Sequence, residues 1–146
     1  CCKGEGFSWT WPSDAGLTPW QDGKGDLVKI QEYGPGGLIS AAPGPANWFH
    51  QHFAVGKEPF RVFNYTGPMP GNPESNRNRK NDFANEGELI RQHADVTDGG
   101  NAIPYYMEDP YVRKHFESKL SEHGAVSTMP EVAYTEAGAN MEVMSD

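Results

Sequence analysis

Apolar and polar residues alternate along Phe7-Ser8-Trp9-Thr10-Trp11, the period-two pattern of a strand with one buried face. Gly4 and Gly6 mark a turn or bulge just before it. Pro12 to Gly25 reads as loop, and Asp26 to Tyr33, carrying Leu27, Val28 and Ile30, as a second strand. Gly34-Pro35-Gly36-Gly37 is a turn, and Leu38 to Ala41 reads as a short apolar strand. Pro43-Gly44-Pro45 turns the chain again before a strand over Trp48 to Val55. Gly56 to Pro59 reads as a hairpin connection into a last strand, Phe60 to Tyr65. On that strand Phe60, Val62 and Asn64 share one face, and Arg61, Phe63 and Tyr65 the other. Short strands with this turn spacing predict a small sandwich or barrel over residues 1–66.

The pattern changes after that. Gly67 to Asn81 is a linker rich in Pro, Asn and Arg, and its basic cluster Arg77, Arg79 and Lys80 reads first as a solvated loop, with a phosphate or carboxylate contact as the other reading. Glu86 to Ala94 reads as a short helix, and Gly99 to Tyr106 as a loop followed by a brief extended segment. Asp109 to His123 carries the best helix signature in the chain. Asp109 can cap the N-terminus, Pro110 suits the first helical position and Gly124 suits the stop. Val112, Phe116 and Leu120 fall at i, i+4, i+8 on one face. Lys114, Glu117 and Lys119 lie off that stripe and are expected in solvent, and His115, i, i+4 from Lys119 on an exposed side, reads as structural or solvated. From Met129 on there is no periodicity, as expected of a docked or mobile tail. The expected organisation is therefore a β domain over 1–66, then a linker and helical extension over 67–146.

Composition narrows the class. The chain has 146 residues, enough for one domain with a core, and 17 Gly with 12 Pro favour short elements over long helices. Aromatic residues at 12% point to a core built from rings as well as aliphatics. A net charge of -8 argues against nucleic acid or an anionic membrane as partner. No apolar run approaches the ~20 residues of a membrane span, and no stretch reads as a signal peptide. Cys1 and Cys2 are adjacent and imply no disulfide framework, so a cytoplasmic location is the default expectation. The chain starts without Met, directly in a strand-like segment, which leads to the expectation of a fragment or processed chain.

The candidate chemistry lies in Trp48-Phe49-His50-Gln51-His52-Phe53. His50 and His52 are two apart, so on a strand both imidazoles point to one face. Neutral imidazole is a common ligand of first-row transition metals, and Trp48, Phe49 and Phe53 would wall such a pocket. A structural histidine pair without metal is the other reading. There is no Gly-rich phosphate loop, nucleophile elbow, CxxC pair or HExxH motif.

Residues 37–54 resemble the second motif of the cupin superfamily: a glycine (Gly37), then Pro45-Ala46-Asn47-Trp48-Phe49-His50-Gln51-His52-Phe53-Ala54. Asn47 stands where the motif has Gly, a place for a left-handed turn that Asn tolerates best among other residues. Ala54 stands where the motif has Asn, which removes a side-chain hydrogen bond. Gly56-Lys57-Glu58-Pro59-Phe60-Arg61, and Gly100 to Tyr105 with its Glu-Asp-Pro helix start, are similar to bacterial cupin proteins with a C-terminal extension.

The resemblance implies a cupin-type β-barrel or jelly roll, incomplete at its N-terminal strands. Gly4 or Gly6 would be the last glycine of the first cupin motif, whose two His and one Glu would lie before Cys1. It implies His50 as metal ligand and His52 as a pocket acid/base or a donor supporting the ligands, with a direct ligand role as the remaining option for His52. The metal would be one divalent transition ion, Fe2+ first, with Mn, Ni or Zn also fitting. The leading activity is dioxygenase-type chemistry on a small organic acid or diol, with isomerase or lyase chemistry as a variant. The site would be completed by an upstream segment of the same protein or by a separate chain. The alternative is a non-catalytic cupin-like binding or assembly subunit. Homo- or hetero-oligomerisation is expected in either case, since a barrel missing strands leaves open edges.

Overall fold

In the computed structural model the described residues are 1–43, 47–64, 95–100 and 102–140. Three strands form an antiparallel sheet: β1 (Gly6–Pro12), β2 (Lys29–Tyr33) and β3 (Trp48–Ala54), in the order β2-β1-β3. Among the described residues one α-helix, α1 (Pro110–Glu122), accompanies them, so this part of the chain mixes a small sheet with a helix. By contacts the chain divides into two units. The first comprises Cys1–Thr66 with Asp109–Ser127, so α1 belongs with the sheet although more than fifty residues of chain separate them.

β1 is the central strand, and its alternation sets the two faces. Phe7 pairs with Phe53 and Glu32, Trp9 with Gln51 and Ile30, and Trp11 with Phe49. Phe7, Trp9, Trp11 and Phe53 are buried there. α1 covers this apolar face: Phe116 packs on Phe53 at 5.2 Å between ring centres, Tyr111 on Trp9 at 6.0 Å, and His115 edge-on to Phe7 and Trp9 at 5.2 and 5.1 Å. Trp20 completes the layer, 4.2 Å from Trp9 and stacked on Tyr111. Trp9 and Trp11 are thus buried in the core, as their alternation predicts, and Trp20 packs on it from the loop after β1.

The helix starts where its sequence says. Asp109 is buried, and one carboxylate oxygen accepts from the Tyr111 N–H at 3.0 Å, capping the first turn. The other accepts from the N–H groups of Trp20 and Gln21 at 2.8 and 3.1 Å. One side chain therefore both caps α1 and clamps it to the 19–23 turn; charge-assisted bonds of this kind contribute about 1.5–3 kcal/mol each. Gly124 ends the helix at φ +63, the left-handed conformation that favours glycine. Val112 and Leu120 are buried as the stripe predicts.

Several expectations are corrected. His115 is not on an exposed side and takes the structural of its two readings: a position beside Phe116 on a helix lying over the sheet turns its ring onto Phe7 and Trp9. Lys119 is not free in solvent either, since it pairs with Glu32 of β2 at 2.7 Å and with Glu122 at 3.1 Å. Residues 38–41 form no strand, and Leu38 is 95% exposed, because no neighbouring strand offers it a ladder. Phe60 to Asn64 reduces to one bridge, Lys3 with Arg61, and Phe63 is exposed. β2 starts only at Lys29, after a 3-10 turn over Gly25–Leu27. Asn47 is not left-handed; among the described residues only glycines have positive φ. The segment 86–94 and the basic cluster Arg77, Arg79 and Lys80 lie outside the described residues.

Gly6 is required by close approach. A Cβ there would meet the Phe53 carbonyl oxygen and come within 2.7 Å of the Phe60 ring. The second unit, within the described residues, holds a parallel bridge between Asp95 and Ala102 and 3-10 turns at Tyr105–Met107, Glu131–Tyr134 and Glu136–Asn140. The rings of Tyr105 and Tyr134 meet at 5.8 Å.

Candidate functional site

The sheet face turned away from α1 is polar. The register places Tyr33, Gly6 and Ala54 in one cross-strand row, then Gln31, Ser8 and His52, then Lys29, Thr10 and His50, with Trp48 beside Pro12 at the end. His50 and His52 do share this face, their ring centres 5.4 Å apart.

His52 is anchored by one nitrogen. Ser8 Oγ lies 2.5 Å from His52 Nδ1, Tyr33 Oη lies 3.0 Å from it, and the two hydroxyls are 3.0 Å from each other. Ser8 is fully buried on the central strand, and Tyr33 is half-buried on the edge strand. The network fixes the ring and leaves Nε2 outside it. Burial lowers the His52 pKa, and the neighbouring His50 lowers it further. His50 keeps an exposed edge, but the sheet beneath it removes water from one side of the ring and lowers its pKa too. Both imidazoles are accordingly neutral near pH 7, the form that binds a metal or accepts a proton.

On this face the Thr10 hydroxyl and the Trp48 indole N–H are buried without a hydrogen-bond partner among the described residues. Lys29, across from Thr10, is exposed. Arg61 is exposed at its bridge to Lys3, and Glu5 lies 3.4 Å from His123, tying the end of α1 to the chain before β1.

Two imidazoles are an incomplete set for a transition ion. Among the described residues no group of three or more His, Cys, Asp or Glu is placed to hold one. Any metal here would need donors from beyond the described residues.

Ser8, Thr10, Lys29 and Tyr33 are not evident as site residues in the sequence. The alternation around β1 does put Ser8 and Thr10 on the face opposite the tryptophans. What was missing is the register that sets them beside the histidines. Nothing among known protein families, curated proteins or solved structures matches this chain. No helix among the described residues is long and apolar enough to cross a membrane.

Proposed function

We propose that the polar face of the sheet is part of the site of a metal-dependent, cupin-type enzyme performing dioxygenase-type chemistry on a small organic acid or diol. The observation that supports it is the pair of neutral imidazoles on one face, one anchored through Nδ1 by two hydroxyls. A ligand or catalytic histidine needs its second nitrogen held in this way to fix tautomer and direction. His50 would contribute one nitrogen to a divalent ion, Fe2+ in the leading case, and the first cupin motif, supplied in cis or in trans, would complete the set. When bound, such an ion supplies activation of O2 and of a chelated substrate. His52, its ring fixed by Ser8 and Tyr33, would take up or deliver a proton at Nε2. Trp48 and Phe60 would keep bulk water from the polar face.

Metal analysis of the purified protein, with any upstream segment retained, tests this reading. One ion per chain, lost in His50→Ala, is the expected result. Stoichiometric metal retained in His50→Ala overturns the assignment.

A second reading, a non-catalytic binding or assembly subunit, draws on the sheet edges. Among the described residues no strand pairs with the outer side of β2 or of β3. Such edges join readily to another segment or another copy. A folded protein that takes up no metal but associates through these edges would favour this reading.

A further inference from the structure

The polar face divides into two halves. Around His52 the polar atoms are satisfied by one another. Around His50 they are not: among the described residues Thr10, wholly buried, keeps a hydroxyl without a partner, and the enclosed Trp48 N–H is likewise unmatched. An unmade hydrogen bond of this kind costs a protein about 1–3 kcal/mol, so the unpaired state points to an atom that arrives from outside. Thr10 lies between Lys29 and His50 in one cross-strand row, and Trp48 follows His50 on the same face. What these groups share is donor chemistry: an ammonium, a hydroxyl and an indole N–H. Neither Asp nor Glu occupies this face of the three strands, since Glu32 faces the helix and pairs with Lys119.

We infer that the Lys29–Thr10–Trp48 end of the polar face binds the carboxylate group of a small organic acid. A carboxylate accepts hydrogen bonds at both oxygens, which suits a face that offers donors only, and the Lys29 ammonium supplies the opposite charge. Lys29 and His50, which flank Thr10, are exposed. This inference rests on the reading of the same face as a substrate site, and it names the part of the substrate held away from His52.

The test is a titration of metal-free protein, in the presence of chelator, with propionate and benzoate. The indole N–H resonance of Trp48, assigned with Trp48→Phe, is followed by NMR. Both acids are expected to shift that resonance saturably, and the neutral propionamide to leave it in place. Thr10→Val, close in shape but without the hydroxyl, should weaken binding at least about tenfold, the loss expected for one hydrogen bond to a charged group. Lys29→Gln should weaken it too, and Thr10→Ser should restore it. An unmoved resonance, or equal binding by Thr10→Val and wild type, overturns the inference. Because no metal is present, that failure is separate from failure of the metal reading, which is decided by the metal content of His50→Ala.

Discussion

His115 shows how one residue's role depends on what lies across from it. On the helix it sits between Tyr111 and Lys119; in the fold its ring contacts Phe7 and Trp9, and its Nε2 is buried without a partner among the described residues. Burial is the main cause that lowers its pKa, and Lys119 adds to it against weaker opposing effects of Glu122 and Glu32. The unfolded chain therefore takes up a proton near the ordinary value of 6.5 while the folded chain resists it. It follows that this group's contribution to stability is fully present above 6.5 and is lost as pH falls through the lowered folded value. His50 and His52 act in the same direction. Urea unfolding should show falling stability from pH 7.5 to pH 5.5, with a smaller fall in His115→Phe. An identical fall in the variant would remove His115 from the account. The sequence put this histidine on a helix, but only the sheet beneath that helix made it a buried one.

At the level of elements, legibility followed local signals. β1, β3 and α1 were readable because alternation, the Asp-Pro start and the Gly124 stop are written within each segment. Leu38 to Ala41 was not, because a short apolar run becomes a strand only if another strand pairs with it. The two leucines make the contrast measurable. Leu120, on the inner side of α1, is 5% exposed and Leu38 is 95% exposed. Leu120→Ala should cost about 2–5 kcal/mol in chemical denaturation, and Leu38→Ala less than about 0.5 kcal/mol. Comparable losses in both would mean that Leu38 is covered in solution. Glu32 and Lys119 join β2 to α1, and the pair lowers the Glu32 pKa mainly through the hydrogen bond with Lys119. With Glu32 largely exposed, this bridge orients the elements more than it stabilises them.

Across the first unit, the sheet and α1 share one apolar layer and the Asp109 clamp, although the sequence between them is long. Elements that share a core open together. The slowest amides of β1 and α1 should therefore exchange with hydrogen at a common free energy in native-state exchange. α1 amides exchanging far faster than those of β1 would show that the helix opens on its own. The polar face depends on the same unit, because Ser8 and Thr10 alternate with the residues that α1 buries.

Patterns of a few residues were enough to place β1, β3, the helix start and the shared face of His50 and His52, since backbone geometry links near neighbours directly. Partnership across the sheet was beyond their reach. Ser8 and Tyr33 reach His52, and Thr10 comes to lie between Lys29 and His50, through a register between segments tens of residues apart. That register is set when the aromatic side chains of β1 are buried under α1, a packing event that no local pattern encodes.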